Sequence, residues 1–388
     1  MRRVQPVILS IVFFDAFLMF VLVPLLPHYV HTLGLSKSQA GAVIGVYSAA
    51  TLVFALPVGR VADRLGPRRI TVAGVALLAV STLAYAFAGS FWVLFAARGV
   101  QGVSSAISWT AGLAWLSAAT PAERRGSALG TAMTMGTLGS FFGPVVAGPL
   151  SRLLGPRDLF LVLAAIAALL MVWSLLPAEV HAPPERHAGL AETFRLALRS
   201  RLIACAVFVM TLVAVVSGLL ETLVPLRLGV AGYSATQISL VLGLAGIGAA
   251  ATQLLVGRAY DRIGGLRIAY VSVAAMAVVL AAIAVPRAAL PIAVVFVVGT
   301  PAISGQYAVA FPLATAGADQ VGLPHGIVLG AINVCWGLGF FVGPALGAAI
   351  AQATSDRLTY ALCAVLSAAA LPALRALALD SPECQEAA

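Results

Sequence analysis

The stretch GRVADRLGPRR, residues 59–69, returns almost unchanged as GRAYDRIGGLR, residues 257–267. Four of its residues recur 198 positions later, pairing Gly59 with Gly257, Asp63 with Asp261, Arg64 with Arg262, and Gly66 with Gly264. Both copies are dense in charge, although only 10% of the chain is charged and 61% is hydrophobic. The recurrence indicates that one structural unit has been duplicated and that each copy carries this charged phrase.

The composition excludes a water-soluble fold. With a mean hydropathy of +1.03, the 388 residues have too few charges to cover the surfaces of two or three soluble domains. A helix that crosses lipid needs about 20 mostly apolar residues, because its backbone groups must bond within the segment. We place twelve such predicted spans at 7–27, 40–58, 70–89, 92–116, 127–150, 158–176, 202–226, 236–256, 267–285, 289–315, 326–350 and 357–377. No remaining segment is long enough to fold alone, which excludes a soluble enzyme.

The basic residues predict the topology. If the N-terminus is cytoplasmic, sixteen of the 23 lysines and arginines lie on the cytoplasmic side, six lie outside, and Arg98 lies within a span. This bias matches the positive-inside rule and places both termini in the cytoplasm. The net charge of +9 therefore needs no nucleic-acid partner. The apolar start resembles a signal peptide, but Asp15 interrupts it and no cleavage site follows, so we interpret it as a retained first span.

The duplication reaches well beyond the opening phrase. Val23-Pro24-Leu25 recurs as Val224-Pro225-Leu226, and several glycines of the fifth predicted span recur 200 positions later. We therefore predict an all-α membrane protein of two six-helix bundles, residues 1–178 and 202–388, joined by a cytoplasmic linker at 179–201. Parallel repeats of this kind are typical of transporters with a substrate site near the membrane midplane, between the repeats.

Three ionisable side chains fall inside predicted spans: Asp15 in the first, Arg98 in the fourth and Glu221 in the seventh. A charged group at the bilayer centre costs roughly 2.5 kcal/mol or more, so retaining three suggests function. A buried pair that only fixes helix register is the alternative. The helical rise places Asp15 near mid-membrane and the other two at a shared level nearer the outside. We predict that all three take part in proton coupling, either as a cluster or through water.

The fourth predicted span also carries a polar stripe. Arg98, Gln101, Ser105 and Ser108 follow the spacing of one helical face, and such a stripe needs a side lined by water or protein. Apolar and aromatic residues of other spans, including Phe340, complete a pocket for a lipophilic ligand. The predicted substrate-binding residues are Asp15, Met19, Gln101, Ser105, Trp109, Glu221, Tyr307, Phe311, Asn333 and Trp336. No metal ligands or paired cysteines are spaced for a site, and we expect no cofactor.

The repeated phrase resembles the loop signature of the major facilitator superfamily between spans 2 and 3, with its weaker echo between spans 8 and 9. In that family the loop latches the two halves on the cytoplasmic side and is released as they rock. The resemblance implies a gating role for Gly59, Asp63, Arg64, Gly66, Arg68, Asp261 and Arg262. Both glycines of the first copy are expected to permit a tight turn. The RxxQG stretch that begins at Arg98 resembles the span-4 signature, whose arginine is associated with proton transfer.

The fifth predicted span is the most specific segment. Gly130, Gly139, Gly143, Pro144 and Gly148 fit the pattern G-x8-G-x3-G-P-x2-G-G, except that alanine replaces the first glycine of the closing pair. The pattern resembles the antiporter signature of the drug–proton exporters in the superfamily. Glycines four apart also let helices approach closely, and the proline removes a backbone donor and is expected to bend the span.

A finer resemblance concerns the two embedded acids. FFDAFLMFVLVPLLPHYV (13–30) and LLETLVPLRL (219–228) resemble the vesicular amine transporters, which carry acids at both points. The resemblance implies that Asp15 and Glu221 attract a cationic substrate or exchange it for protons. Asn333 stands where those transporters have an aspartate, and Tyr47 stands near their embedded lysine, so the details of coupling do not transfer.

Together these patterns predict a secondary active transporter, not an enzyme, in the cytoplasmic membrane, for which a monomer suffices. It would export lipophilic or cationic small molecules in exchange for protons by alternating access. A carrier for uptake or exchange of a metabolite or sugar is the first alternative, although it would call for more embedded Asn, Gln and Tyr. A membrane sensor that no longer transports is the second, and the intact embedded charges disfavour it.

Overall fold

The computed structural model describes residues 4–121, 124–177, 200–323 and 325–379, and every regular element in these ranges is helical. In the first half the helices are α1 (Val4–Leu33), α2 (Lys37–Leu65), α3 (Pro67–Ala86), α4 (Phe91–Ile107), α5 (Leu113–Ala118), α6 (Arg125–Leu154) and α7 (Pro156–Ser174). A π-helical turn, Ser108–Gly112, joins α4 directly to α5. In the second half they are α8 (Arg201–Val230), α9 (Ala235–Ile263), α10 (Gly265–Ala284), α11 (Ala289–Val321), α12 (His325–Ala353) and α13 (Asp356–Leu379).

Ten of the described helices are long and apolar enough to cross a membrane. The two other predicted spans correspond to the interrupted helix α4–α5 and to α6, which is rich in glycine, serine and threonine. The all-α class is therefore confirmed over the described ranges. The count of twelve spans and the cytoplasmic placement of the termini stay predictions, as does the linker at 179–201, of which residues 179–199 lie outside the description.

The chain divides into two compact units: Met1–Glu185 with Gly232–Gly243, and Arg186–Ala231 with Leu244–Ala388. In the first unit α1 packs against α6, α2 against α4, and α3 against α7. In the second, α8 packs against α12, and α10 against α13. The pairs α1–α6 and α8–α12 are equivalent in the sequence repeat, as are α3–α7 and α10–α13, so the repeat extends to tertiary packing. The first unit also takes in the start of α9.

The first helix of each repeat is the most enclosed. Protein surrounds 72% of the apolar window of α1 and 56% of that of α8, compared with 50% or less for the other candidate spans. A helix that is hydrophobic all round belongs in the interior of a bundle. Asp15 lies on α1 and Glu221 on α8, so both embedded acids occur on helices that are mostly shielded from lipid.

A glycine in the same position of each copy turns the chain between helices. Gly66 joins α2 to α3 with φ of 90°, and Gly264 joins α9 to α10 with φ of 87°. Residues with a Cβ rarely adopt such angles, which explains why both copies of the phrase carry glycine here. Gly59 differs from the prediction, because it lies buried inside α2, seven residues before the turn.

Candidate functional site

Asp15 is the centre of a hydrogen-bonded cluster in the first unit. Its side chain is fully buried, and its Oδ2 accepts hydrogen bonds from Ser105 Oγ at 2.8 Å and Trp109 Nε1 at 3.0 Å. The hydroxyl of Tyr47 lies 3.5 Å from the same oxygen, at the outer limit of hydrogen-bond distance. The second carboxyl oxygen, Oδ1, is buried and has no hydrogen-bond partner among the described residues. One carboxyl oxygen therefore accepts two short hydrogen bonds, while the other accepts none.

The short contacts form a chain from Tyr47 to Asp15. The Tyr47 hydroxyl lies 2.7 Å from Ser105 Oγ, much closer than it lies to the carboxylate. A phenol has one proton to donate, so it goes to the serine, and the serine hydroxyl in turn donates to Asp15. Ser105 therefore links a residue of α2 to a residue of α1, and truncating either hydroxyl would leave a buried group without its partner.

Arg98 is buried but does not form an ion pair with Asp15. Its guanidinium donates to Gln101 Oε1 at 2.9 Å and to the carbonyl oxygen of Met19 at 2.9 Å. Its Cζ lies 4.7 Å from the centre of the Tyr47 ring, whose hydroxyl is 3.5 Å from Asp15 Oδ2, so Tyr47 contacts both charged groups. The Nε–H of Arg98 has no hydrogen-bond partner in the described part of the chain. A ring face, a carbonyl and an amide thus stabilise a buried cation that would otherwise need a carboxylate.

Gln101 is held from two sides. Its Oε1 accepts bonds from Arg98 and from the Tyr85 hydroxyl, which lies 2.8 Å away. The Tyr85 carbonyl oxygen accepts in turn from the Tyr29 hydroxyl at 3.2 Å. Arg98 and Gln101 of the predicted stripe therefore form a network that reaches α1 and α3, whereas Ser108 Oγ has no hydrogen-bond partner among the described residues. Tyr85 was not among the predicted site residues, because a single tyrosine in an apolar span carries no pattern.

The π-helical turn places Trp109 in the site. Arg98, Gln101 and Ser105 lie on α4 as the regular spacing predicts, but Ser108 and Trp109 begin the wider π turn. The extra residue in such a turn changes the direction of the side chains that follow, and π turns often occur at functional sites. Sequence periodicity assumes a constant turn and does not predict this feature.

Two glycines of the predicted antiporter motif pack directly against the helix that carries Asp15. Gly139 lies against the backbone of Phe13, and Gly143 lies against the backbone of Phe17. These two contacts are one helical turn apart on α1, on the face that meets α6. Asp15 is two residues from each, about 200° around the helix, so it faces away from α6 and towards α2 and α4. The glycines set how closely α6 supports the back of Asp15's helix.

The other motif residues have separate surroundings. A Cβ on Gly130 would meet nothing within 4 Å. Gly148 packs at the start of α9, where its backbone N–H donates to Ser239 Oγ at 2.9 Å. Gly136, which the motif does not include, lies against the indole of Trp109, and a Cβ there would be 2.7 Å from the ring. Pro144 lies within α6, which runs uninterrupted from Arg125 to Leu154.

Several predicted residues of the second unit also lie together. The Tyr307 hydroxyl donates to Ser217 Oγ at 3.2 Å, and the side chains of Trp336 and Glu221 lie near it. Trp336 stacks on Phe340 with ring centres 5.1 Å apart. The carboxylate of Glu221 is therefore near an aromatic group formed from α11 and α12. Phe311 and Asn333, also on these helices, are exposed.

The repeated phrase has a defined place at the end of α2. Asp63 and Arg64 are exposed in its last turn, and the guanidinium of Arg68 donates to the carbonyl oxygen of Leu175, just beyond α7. In the second copy Arg262 is exposed, and the side chain of Asp261 lies outside the described residues. Arg68 thus ties the turn to its own unit. The gating role of these residues stays a prediction.

The family follows from a match along most of the chain. The model of the Major Facilitator Superfamily matches residues 8–327. The chain belongs to the major facilitator superfamily. It is thus a multi-pass membrane protein of a transporter family, in agreement with its apolar helices.

Curated relatives of this superfamily protein align with it over only part of their length. The MFS-type transporter ppzB of Metarhizium rileyi is 31% identical over 34% of this chain and 28% of its own. The probable vesicular acetylcholine transporter-B of Danio rerio is 33% identical over 42% of this chain and 36% of its own length. Multidrug resistance protein MdtG of Proteus mirabilis is 28% identical over 54% of this chain and 55% of its own length. The chain therefore spans from about a quarter to just over half the length of these relatives.

Solved structures match the superfamily fold over nearly the whole chain. A bacterial homologue of the human lysosomal transporter Spinster, in an inward-facing and occupied conformation, has a TM-score of 0.77 at 15% identity, covering 96% of this chain and 95% of that one. The nucleoside transporter NupG has a TM-score of 0.77 at 14% identity, covering 96% and 98%. At such low identity these likenesses establish the fold.

Proposed function

We propose that this superfamily member is a secondary active transporter of the cytoplasmic membrane that exports lipophilic cationic molecules in exchange for protons by alternating access. The observation that carries the proposal is the state of Asp15, whose Oδ2 accepts bonds from Ser105 and Trp109 while its buried Oδ1 has no partner among the described residues. A carboxylate in such a position is costly unless a cation or a proton occupies the unused oxygen.

Exchange follows from competition for that oxygen. A proton on Oδ1 neutralises the group and leaves the two bonds to Oδ2 intact, so the protonated form needs no rearrangement of Ser105 or Trp109. A cationic substrate can replace the proton by supplying the positive charge itself. If Asp15 binds one or the other but not both, each movement of substrate is coupled to a proton moving the opposite way.

Arg98 is suited to assist the release of the proton. Its guanidinium rests on the Tyr47 ring, 4.7 Å from Cζ to the ring centre, and the hydroxyl of the same ring lies 3.5 Å from Asp15 Oδ2. A positive charge brought closer to a carboxyl group favours its ionised form. A rearrangement of Tyr47 during the transport cycle would therefore alter how readily Asp15 gives up its proton. The network through Gln101 would keep Arg98 buried in both states.

The second unit supports the cationic substrate class. Glu221 lies near Tyr307, and Trp336 and its stacked neighbour Phe340 extend this aromatic group. Aromatic faces and carboxylates both attract organic cations. Two relatives, a probable vesicular acetylcholine transporter and a multidrug resistance protein, support this substrate class, because acetylcholine is an organic cation.

Ethidium flux in proteoliposomes tests the proposal. Wild-type protein should accumulate ethidium against its gradient when a pH gradient is imposed. Asp15→Asn should lose this uphill transport but keep downhill ethidium exchange, because the amide preserves the size of the side chain. Arg98→Ala should also lose gradient-driven transport although Asp15 is intact.

The matched control is Asp158→Asn, an acid-to-amide change at an exposed residue of α7. It should transport as wild type does. Full gradient-driven transport by both Asp15→Asn and Glu221→Gln would refute proton antiport and favour a facilitated or sodium-coupled carrier.

A further inference from the structure

An apolar groove runs between α3 and α4 on the first unit, away from the Asp15 cluster. Its walls are almost wholly carbon, and its volume is about 370 Å³. The lining residues are Val80, Ser81 and Ala84 of α3, and Trp92, Val93, Ala96, Ala97 and Val100 of α4. Ser81 does not make the groove polar, because its hydroxyl donates to the carbonyl oxygen of Leu78 at 3.0 Å.

A cation stands at one end of the groove. Val80, Ala84 and Phe87 follow one face of α3 at helical spacing, so Phe87 continues the groove wall to the end of the helix. The guanidinium of Arg157, at the start of α7, lies 5.0 Å from the centre of the Phe87 ring. Arg157 is exposed and forms no ion pair within the described ranges. The groove thus pairs a hydrocarbon trough with an uncommitted positive charge.

The second half of the repeat provides an internal contrast. Arg357 is the counterpart of Arg157, 200 positions later. Its guanidinium donates to the carbonyl oxygens of Ala284 and Val285, at 2.8 and 3.1 Å. Backbone carbonyls therefore accept the hydrogen bonds of Arg357 in the second unit. Arg157 in the first unit lies instead against a ring face, so its N–H groups are available to another acceptor.

The aromatic residues place this end of the groove at a membrane surface. Trp92 is 72% exposed at the start of α4, and its ring lies 4.9 Å from that of Phe91. Exposed tryptophans are enriched where hydrocarbon meets the headgroups. Arg157, at the beginning of α7, then lies at the depth of lipid phosphates, while the groove runs from there into the hydrocarbon region.

We infer that this groove binds a glycerophospholipid of the adjacent leaflet, with one acyl chain between α3 and α4 and the phosphate on Arg157. A neutral lipid could place its acyl chain in the apolar groove but would provide no anion for the guanidinium of Arg157. A soluble anion could bind Arg157 but would leave the apolar groove empty. A phospholipid matches both features, and the lipid fills a surface that no protein side chain in the described ranges covers.

Native mass spectrometry of the purified full-length chain tests this binding. The protein is mixed in detergent with dioleoyl phosphatidylglycerol or with dioleoylglycerol, which has the same chains but no phosphate. The wild type should retain one phosphatidylglycerol and far less dioleoylglycerol. Arg157→Gln should retain phosphatidylglycerol about fivefold less or weaker still, the factor expected for one arginine at a lipid surface.

A second variant acts on the trough. Ala96→Phe places a ring in the groove from an exposed position and should reduce retention by a similar factor. Arg152→Gln, an exposed arginine near the end of α6, and Leu169→Phe, an exposed position of α7, are the matched controls and should retain lipid as wild type does.

Unchanged retention by Arg157→Gln, equal retention of the two lipids, or an equal loss in Arg152→Gln would each overturn the inference. If Ala96→Phe folds poorly, the exposed Arg157→Gln decides alone, and a folded Ala96→Phe with wild-type retention would also overturn it. The readout is lipid retention, so it is independent of whether the protein exchanges protons for cations.

Discussion

The indole nitrogen of Trp109 lies 3.0 Å from Asp15 Oδ2 and joins residues 94 positions apart in the chain. The contact depends on two local features. The π-helical turn Ser108–Gly112 directs the indole towards α1, and Gly136 of α6 leaves room for its ring. A tryptophan that donates to a buried carboxylate thus depends on a glycine outside the motif that the sequence singled out.

Gly136→Ala should damage coupled transport through Trp109. The new Cβ would lie 2.7 Å from the indole, so the ring must shift and its bond to Asp15 lengthens or breaks. Overpacking of this kind costs about 1–3 kcal/mol, and we expect gradient-driven ethidium flux to fall about tenfold. Gly126→Ala on the same helix, outside the motif, is the control, because a Cβ there meets nothing within 4 Å. Equal flux in both variants would mean that the position of Trp109 is unimportant.

Gly143→Ala should destabilise the first unit and impair its transport cycle. A methyl group there collides with the backbone of α1 at Phe17, where α6 supports the back of Asp15's helix. Thermal unfolding should occur at a lower Tm, and flux should decrease while the protein still reaches the membrane. Exchange of Pro144 for a bulkier residue should likewise impair coupling at near-normal expression. If these variants are lost from the membrane altogether, the motif is purely structural and its link to antiport lacks support.

Tyr47→Phe tests the contribution of the Tyr47 hydroxyl separately from that of its ring. The ring below Arg98 remains, but the 2.7 Å bond to Ser105 is lost, and one such bond contributes about 1 kcal/mol. Gradient-driven flux should therefore drop about fivefold. Tyr47→Leu removes the ring as well and should abolish coupling, since Arg98 loses the face on which it rests. Flux measured over a range of pH would compare the two, and identical losses would argue against a role for the ring.

Glu221→Gln should weaken affinity for a cationic substrate more than it affects proton coupling. The amide keeps the size of the side chain near Tyr307 but removes the negative charge. The concentration of ethidium needed for half-maximal flux should rise several-fold, while the dependence on the pH gradient stays. A neutral lipophilic substrate should be unaffected. An unchanged ethidium affinity, with coupling lost instead, would reassign Glu221 to the proton pathway.

Asp63→Asn should reduce transport without affecting membrane insertion. The arginines that set the topology remain, and Gly66, which turns the chain, is untouched. Flux together with labelling of single cysteines from both sides of the membrane would check this. Asp158→Asn again serves as the control. If flux and accessibility are both unchanged, Asp63 has no gating role.

The sequence by itself determined the class, the repeat and the identity of the charged residues. Hydrophobic runs long enough for spans are a local property, and a duplication is visible as a constant offset between matching residues. The scarcity of ionisable groups in those runs singled out Asp15, Arg98 and Glu221, because each is costly in lipid wherever its neighbours lie. The glycine at the turn after α2 was likewise predictable, since its backbone angle depends on a single residue.

Only the tertiary structure decided which of these groups meet. Arg98 contacts Gln101 and the Met19 carbonyl instead of Asp15, and Tyr47 contacts both charged groups. The partners come from α1, α2 and α4, and their side chains meet because of how closely the helices pack. That distance depends on contacts such as Gly139 against Phe13 and on the π turn, which changes the helical period within α4–α5. Periodicity assumes regular helices and carries no information on their separation, so the network around Asp15 could not be predicted from it.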